Sequence, residues 1–188
     1  NGVDIGHWRI SPDHMAPDMQ RIAAGGRFIV GYHGTLAEWI EYDVLRNIAD
    51  DGRFDLVLIG LEHDLSFRNS GLSSHPRVHF LGSRSYSELN RYAVGYDIAI
   101  LPFKKNVLTD AVSPVKIFEY MAAGKPIVTA NLLECLKYQS CIIADAPGDF
   151  LSKLELALEL RNDVKYLGVL DLEANENSWR KKTRHILN

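Results

Sequence analysis

The stretch that decides the fold is RFIVGYHGTLAEWIEYDVLRNIADDGRFDLVLI, residues 27–59. It begins and ends with a short apolar run, Arg27–Tyr32 and Phe54–Ile59, and the residues between them have a helical pattern. Two such runs on either side of a helix are typical of a βαβ unit, whose two strands are parallel. Their near-continuous hydrophobicity predicts strands that are covered on both faces of the sheet.

The segment between the two runs predicts a helix over Leu36–Ala49. Its apolar residues recur at helical spacing, and most of its charged residues lie off that stripe. Thr35 and Glu38 have the spacing of a capping box, which would begin the helix at Leu36.

The same alternation continues along the chain. Further strands are predicted at Val78–Leu81, Asp97–Leu101, Pro126–Ala130 and Cys141–Ala144. Further helices are predicted at Ser85–Tyr92, Ser113–Gly124, Phe150–Leu160 and Ser178–Leu187, whereas Arg161–Asn177 is weakly patterned. We therefore predict an α/β fold: a Rossmann-like, doubly wound parallel sheet of about six strands with helices on both faces.

The composition restricts the function classes. Of 188 residues, 46% are hydrophobic, and 21 Lys and Arg stand against 24 Asp and Glu. Because there is no global positive field, nucleic acid is not an expected partner, and any bound anion needs a local pocket. No apolar run reaches the roughly 20 residues of a membrane span. Cys135 and Cys141 match no zinc or redox motif, so we expect reduced cysteines and a cytoplasmic protein.

Ligands of open parallel sheets bind beyond the carboxyl ends of the strands, so the loops that follow the strands are where a site is expected. Gly31–Thr35 is glycine-rich but is neither a dinucleotide nor a P-loop motif. It is either a tight turn or a place where the backbone approaches a ligand, since two glycines flank His33. Leu81–Tyr86 and Lys104–Pro114 are the other two loops of interest.

The most informative segment is SPVKIFEYMAAGKP, residues 113–126. Ser113 is a suitable N-cap and Pro114 a suitable first helical residue, so a helix is expected to begin there. Lys116 in the first turn is disfavoured by the helix dipole unless an anion binds beside it. Glu119 lies in an almost wholly apolar helix and needs polar partners if it is buried. That partner would be either the hydroxyl groups of a bound ribose or the ammonium group of Lys116 in a local ion pair.

Residues 113–128, SPVKIFEYMAAGKPIV, resemble the donor-binding helix of GT-B glycosyltransferases, most closely glycosyltransferase family 4, or group 1. Further matches follow in the family's order: NGVD at 1–4, GYHGTLAEW at 31–39, FLGSR at 80–84, YDIAILPF at 96–103 and SW at 178–179. Together they cover nearly the whole chain. The resemblance implies the C-terminal half of a GT-B fold, which binds a nucleotide sugar. It also implies a separate N-terminal domain with the acceptor site and much of the catalytic apparatus, so no catalytic residue is named in this chain.

The resemblance also implies a set of donor-binding residues: Gly34, Thr35, Ser83, Arg84, Lys104, Ser113, Pro114, Val115, Lys116 and Glu119. In this reading, Glu119 binds the ribose hydroxyl groups and the helix start at residues 113–116 faces the diphosphate. Gly34 and Thr35 would lie near the phosphates or the sugar, and residues 81–84 would frame the base. No metal ligand is implied.

The chain departs from the family pattern at two places. Relatives have another glutamate, which contacts the sugar, eight residues before the position of Glu119; this chain has Ala111 there, with Asp110 one position out of register. A basic pair of the first loop and helix is replaced by Tyr32, His33 and Glu38. The positive charge would then come from Arg84, Lys104, Lys105 or Lys116.

The implied organisation is an interdomain linker over residues 1–26, the nucleotide-sugar-binding domain over 27–177 and a C-terminal helix over 178–188 that docks on the N-terminal domain. The implied activity is that of a retaining, metal-independent hexosyltransferase without a cofactor, which uses a nucleotide-diphosphate sugar and a glycan or lipid-linked acceptor in polysaccharide or glycolipid synthesis. The full enzyme is expected in the cytoplasm, with peripheral association at the inner face of the membrane. Two alternatives stay open: a GT-B-type sugar-nucleotide epimerase, and a non-enzymatic doubly wound interaction module.

Overall fold

A computed structural model describes the backbone of residues 1–186 and the side chains of residues 1–183. Six strands form one sheet: β1 Phe28–His33, β2 Phe54–Ile59, β3 Val78–Phe80, β4 Ile98–Leu101, β5 Ile127–Ala130 and β6 Cys141–Ala144. Their order in the sheet is β3-β2-β1-β4-β5-β6, and every neighbouring pair is parallel. The predicted Rossmann-like sheet is therefore confirmed, and each predicted strand is placed to within one residue at its ends.

Helices cover both faces of the sheet. They are α1 Ile5–Trp8, α2 Pro17–Ala23, α3 Tyr42–Asp50, α4 Ser66–Asn69, α5 Tyr86–Ala93, α6 Val107–Asp110, α7 Lys116–Ala122, α8 Phe150–Leu160, α9 Val164–Glu176 and α10 Trp179–Ile186. One face carries α3 and α8, and the other carries α1, α5, α7 and α9. Buried on both sides, strands β1, β2, β4 and β5 form the centre of the core, as their continuous apolar runs predicted.

The helix predicted over Leu36–Ala49 is wrong in its first half, since α3 begins only at Tyr42. The backbone of residues 36–41 is hydrogen-bonded to neighbouring loops: the Leu36 N–H donates to the Leu61 carbonyl, and the Glu41 N–H donates to the Pro102 carbonyl. The Thr35–Glu38 capping box is therefore not formed. The N–H groups that a first helical turn would leave without partners are hydrogen-bonded to other loops here. Residues 36–41 therefore do not form a helix, although their local pattern predicts one.

The segment Arg161–Asn177 contains a helix, α9, that the sequence interpretation missed. The Asp163 side chain caps it by accepting a hydrogen bond from the Tyr166 N–H. Its buried residues, Tyr166, Leu170 and Ala174, are spaced by four. Other apolar residues of the segment, Val164 and Leu172 among them, are exposed, so the apolar positions do not form one clear stripe in the sequence.

Residues 1–26 pack against the rest of the domain at both ends of the segment. Val3 pairs with Ser178 in a parallel bridge just before α10, so the beginning and end of the described chain meet. Trp8 is buried, and its indole N–H donates to the hydroxyl group of Tyr86. The predicted terminal helix is present as α10, and residues 187 and 188 lie outside the described residues.

No helix in the described part of the chain is both long and apolar enough to cross a membrane. Cys135 and Cys141 are free and buried.

The centre of β1 depends on a glycine that leaves room for an aromatic ring. A Cβ atom at Gly31 would overlap the ring of Tyr96, which is itself buried. We expect Gly31→Ala to lower the free energy of unfolding by about 1–3 kcal/mol, because the core has no space for the added methyl group. Urea denaturation of the purified chain measures this change.

Gly168→Ala is the matched control. Gly168 lies inside α9, and apart from its chain neighbours and the backbone of its own helix nothing lies within 4 Å of the added Cβ, so this substitution is expected to raise stability by about 0.5–1 kcal/mol. Equal changes in the free energy of unfolding for the two substitutions would show that packing of the Tyr96 ring does not require a glycine at position 31.

Candidate functional site

The candidate site lies where the strand order reverses, between β1 and β4. Connections leave these two neighbouring strands in opposite directions, and a crevice opens beyond their carboxyl ends. A pocket of about 320 Å³ occupies this crevice, at the lower end of the ~300–1,000 Å³ typical of ligand sites. Its walls come from the ends of β1 and β4, the loops that follow them and the start of α7: Tyr32, Thr35, Trp39, Phe103, Leu108, Thr109, Val112, Pro114 and Lys116.

Lys116 reaches across the pocket from α7 to the end of β1. Gly34 has a φ of +146°, and a Cβ atom there would overlap Lys116 Cε and lie 2.8 Å from Nζ. Only glycine allows the lysine to lie directly on the backbone at this point. The ammonium group is 5.9 Å from the centroid of the Tyr32 ring. Of the side chains that the structure describes, none forms a salt bridge or hydrogen bond with it.

The start of α7 differs from the prediction. The helix begins at Lys116 with Val115 as its N-cap, so Ser113 does not cap it. The preceding turn is tighter than α-helical, since the Ile117 N–H donates to the Pro114 carbonyl and the Phe118 N–H to the Val115 carbonyl. Ser113 is exposed, and its carbonyl accepts a hydrogen bond from the Asn1 side chain.

Glu119 is buried and pairs with a histidine of β1. Its Oε2 atom lies 2.9 Å from Nε2 of His33, and Glu119 is 7% exposed. The two residues are 86 positions apart in sequence. The local Lys116–Glu119 ion pair, one of the two alternatives from the sequence, is not formed. His33 stacks on Trp8, with ring centroids 5.2 Å apart and an interplanar angle of 13°.

Burial controls the charges at this pair. Burial lowers the pKa of His33, against the opposing hydrogen bond and negative charge of Glu119, so the ring is neutral near pH 7. A neutral ring that faces a carboxylate with Nε2 carries its proton there and donates to Glu119. Its other nitrogen, Nδ1, is buried and has no partner among the described residues. Burial likewise lowers the pKa of Lys116, while the negative charge of Glu119 opposes this shift.

The structure divides the other predicted residues into two groups. Thr35, Pro114 and Lys116 line the pocket, and Gly34 lies against the Lys116 side chain without being part of the lining. Arg84 is held elsewhere: its guanidinium donates to the Tyr92 hydroxyl at 2.7 Å and to Asp18 at 3.2 Å. Outside the pocket lining are Ser83, Lys104 and Val115, and Ser83 and Lys104 are exposed.

Of the four candidate cations, Lys116 is the one in the pocket. Lys105 donates to the side chain of Asn131, and Lys104 is exposed outside the lining. At the position of the missing family glutamate, Ala111 is exposed, and neighbouring Asp110 has a buried Oδ1 atom without a partner among the described residues.

Sequence reasoning missed the two contacts that organise the site, Lys116 on Gly34 and His33 with Glu119. The glycines on either side of His33 indicated a close backbone approach at this loop but not its partner. The approaching group is on α7, far along the chain, so no local pattern could identify it.

His33 gives the domain a measurable pH dependence. Because its pKa is lowered on folding, the unfolded chain takes up a proton near pH 6.5 more readily than the folded one. The stability contributed at His33 is therefore complete above about pH 6.5 and is lost as the pH falls below it. We expect His33→Gln, which keeps a donor towards Glu119 without titrating, to lose less melting temperature between pH 7.5 and 5.5 than the original protein. Calorimetry at both pH values tests this, and equal losses would contradict a neutral buried His33.

Comparisons with known proteins agree with the fold. The family described as Glycosyl transferases group 1 matches residues 27–160. TuaH of Bacillus subtilis (strain 168), provisionally named a teichuronic acid biosynthesis glycosyltransferase, is 27% identical over 196 residues that cover 100% of this chain and 48% of TuaH.

Solved structures resemble the chain in fold. HepE of Anabaena in complex with UDP matches with a TM-score of 0.77 and 17% identity, over 100% of this chain and 55% of HepE. HepE in complex with UDP and glucose matches with a TM-score of 0.74 and 18% identity, over 100% of this chain and 54% of HepE. The chain thus spans about half the length of these relatives. Since the family match extends over most of the chain, this protein belongs to the group 1 glycosyl transferases and has the Rossmann-like fold of the C-terminal domain of a GT-B enzyme.

Proposed function

We propose that the chain is the nucleotide-sugar-binding part of a glycosyltransferase, and that its pocket binds the diphosphate of the donor. The observation that carries this proposal is Lys116, an ammonium group that lines a pocket at the switch point without an anionic partner within 4 Å among the described residues. Burial lowers the pKa of Lys116, because removing the ammonium group from water disfavours its charged form, and Glu119 offsets this only in part. A diphosphate bound beside Lys116 would reduce that cost, since an opposite charge within about 4–6 Å favours the protonated form of the lysine.

Glu119 is proposed to bind the ribose. Its carboxylate receives one hydrogen bond from His33 and retains further acceptor capacity, because an ionised carboxylate can accept about four. Ribose hydroxyl groups are donors of the required type. His33, fixed by stacking on Trp8, would hold the carboxylate in place for them.

Transfer from such a donor requires stabilisation of the negative charge that develops on the leaving diphosphate. Lys116 would supply the stabilising positive charge. Because its side chain is held between α7 and Gly34, little reorganisation would be needed during the reaction. We extend the proposal to retention of the anomeric configuration and to catalysis without a bound metal ion or other cofactor, as the family resemblance implies. A separate N-terminal domain would close over the donor and bring the acceptor.

The acceptor is proposed to be a glycan or a lipid-linked glycan. TuaH, the curated relative, is named for the biosynthesis of teichuronic acid, and this name supports a polysaccharide context. A cytoplasmic enzyme with peripheral membrane association, with α10 docked on the N-terminal domain, would fit such a role.

The family match favours transfer over the two alternatives, epimerisation and non-enzymatic interaction. Product analysis separates the two enzyme activities. A transferase yields a glycosylated acceptor together with the free nucleoside diphosphate, whereas an epimerase converts the nucleotide sugar to its epimer without any acceptor.

Lys116 gives the first test. In a thermal shift assay with UDP, GDP and ADP, we expect at least one nucleotide to raise the melting temperature, with UDP tried first because HepE binds it. Lys116→Met should raise the melting temperature without ligand, because a partly buried charge is removed while the length of the side chain is nearly kept. The same substitution should weaken nucleotide binding by about 10–150-fold, the equivalent of about 1.5–3 kcal/mol for a charge-assisted hydrogen bond.

Lys165→Met, at an exposed position of α9, is the matched control and should change neither quantity appreciably. The proposed function fails if none of the three nucleotides shifts the original protein, or if Lys116→Met binds them as well as the original protein does.

Glu119 gives the second test, which separates the ribose from the phosphates. Glu119→Gln keeps an oxygen acceptor for the His33 N–H but removes the charge. We expect it to weaken binding of the nucleoside diphosphate by at least tenfold and to leave the affinity for inorganic pyrophosphate, which has no ribose, within about twofold. Isothermal titration measures both, and Glu159→Gln on the exposed surface of α8 is the control. An equal loss for both ligands would place Glu119 at the phosphates instead.

A further inference from the structure

The N-terminal segment reaches the surroundings of Glu119 through Trp8. Asp4 caps the short helix α1 by accepting hydrogen bonds from two backbone N–H groups, and Trp8 is the last residue of that helix. Trp8 is 2% exposed, and its indole lies nearly parallel to the His33 ring, with centroids 5.2 Å apart. The segment that the sequence predicts to be an interdomain linker therefore packs directly on the histidine that pairs with Glu119.

Trp8 is held from its other side by α5. Its indole N–H donates to the Tyr86 hydroxyl at 3.2 Å, and the Asn90 side chain donates to the His7 carbonyl at 2.7 Å. The His7 ring also stacks on Tyr86, with centroids 4.7 Å apart. These contacts do not involve His33, so α5 fixes the position of the indole independently of the histidine.

His33 has few polar contacts of its own. Its Nε2 donates to Glu119, while its Nδ1 is buried without a partner among the described residues. The other rings beside it are Tyr120, edge-on at 4.7 Å, and Tyr96 at 6.3 Å. The χ2 angle of a histidine is broad by itself, so the rings packed against it decide its orientation. Of these rings, the Trp8 indole is the one that lies most nearly parallel, and this contact keeps Nε2 directed at Glu119.

The orientation of Glu119 depends in turn on the histidine. In the described part of the chain, His33 is the one side chain that hydrogen-bonds the Glu119 carboxylate. A carboxylate that is free to turn loses conformational freedom when it binds a ligand, whereas one that is already held does not pay this cost again. Tyr86 thus orients Trp8, Trp8 orients His33, and His33 orients Glu119.

We propose that Trp8 is a positioning residue for nucleotide binding, which acts through His33 to hold the Glu119 carboxylate in the orientation that a ribose requires. This inference rests on the proposed function, in which Glu119 binds the ribose. The N-terminal segment is then a working part of the donor site and not only a connection to another domain. Substitution of Trp8 changes the affinity for a nucleoside diphosphate, although Trp8 lies outside the pocket lining.

The first experiment removes the aromatic face of Trp8. Trp8→Met leaves a flexible apolar side chain that fills part of the space, and Trp8→Phe keeps a ring. Isothermal titration uses UDP, GDP or ADP, whichever binds the original protein most tightly. We expect Trp8→Met to bind it about threefold to tenfold more weakly, the effect of one side chain that must be ordered on binding, and Trp8→Phe to recover most of the affinity. The affinity for inorganic pyrophosphate, which has no ribose, should stay within about twofold.

A double-mutant cycle shows whether Trp8 acts through Glu119. In the Glu119→Ala background, Trp8→Met should change the nucleotide affinity by less than about twofold, because the carboxylate that Trp8 positions is absent. Phe67→Leu is the matched control. Phe67 is another buried aromatic residue, on α4, and its ring packs near Tyr42 and Phe80. Its loss should lower stability and leave the nucleotide affinity unchanged.

The pKa of His33 gives a readout that a general loss of stability does not change. Burial lowers this pKa, and methionine covers the ring less completely than an indole does. In Trp8→Met the pKa of His33 should therefore rise towards 6.5, whereas Phe67→Leu should leave it unchanged. NMR titration of the imidazole protons, assigned with His33→Gln, measures both. The titratable groups around the ring stay the same in these proteins: Lys116, Glu119 and Tyr120 on α7, and Tyr96 just before β4.

The outcomes separate this inference from the proposed function. If no nucleoside diphosphate binds the original protein, both fail. If one binds and Trp8→Met binds it equally well, the positioning role is overturned and the proposed function stands. An equal loss in the Glu119→Ala background, an equal loss in Phe67→Leu or an unchanged pKa of His33 also overturns the positioning role.

Tyr86→Phe replaces Trp8→Met if that variant does not fold. It removes only the hydroxyl group that accepts the indole N–H, from a side chain that is 52% exposed. The expected loss of nucleotide affinity is about twofold to threefold, since one neutral hydrogen bond that orients Trp8 is lost. An unchanged affinity in Tyr86→Phe would then overturn the positioning role.

Discussion

The site depends on how closely β1 approaches two parts of the chain, the helix α7 and the residues just before β4. Two glycines of the β1 region make this approach possible: Gly31 leaves space for Tyr96, and Gly34 leaves space for Lys116. Between them His33 points to Glu119 from a fixed position against Trp8. A side chain at either glycine position would meet one of these groups. The contact of Lys116 with Gly34 and the contact of Glu119 with His33 both depend on how closely α7 approaches the end of β1.

The same constraint places two charges of opposite sign in a buried region without letting them pair. Lys116 lies along the backbone at Gly34, whereas Glu119, one turn later, is engaged by a neutral histidine. Each charge keeps bonding capacity that the protein does not use, and burial makes the unpaired cation costly. In the proposed function, the donor nucleotide supplies what is missing, with its diphosphate at the lysine and its ribose at the glutamate. In that proposal, the free protein would be less stable because of the unpaired cation, and the bound nucleotide would gain the corresponding interaction.

Much of the fold could be predicted because its signals are local. The apolar runs specify six strands to within a residue. The helix predicted from Ser85 begins at Tyr86, and Ser85 and Glu88, which have the spacing of a capping box, are joined there by a hydrogen bond from the Ser85 N–H to the Glu88 carboxylate. A similar signal at Thr35 and Glu38 failed, because the backbone there is paired with loops from β2 and β4. Local capping chemistry is worth about 1 kcal/mol, and several tertiary hydrogen bonds outweigh it.

By itself, the sequence determined the parallel sheet and the presence of a helix at α7, and it singled out Lys116 and Glu119 as candidates, since hydrophobic periodicity and unusual charges are visible along one strand or helix. Only the tertiary structure decided what these two residues contact. It excluded their ion pair, engaged Arg84 with Asp18 and Tyr92, and brought His33 to Glu119 across 86 positions. Such contacts depend on how distant elements cross at the edge of the sheet. That crossing is set by the packing of the whole core, which no local pattern contains.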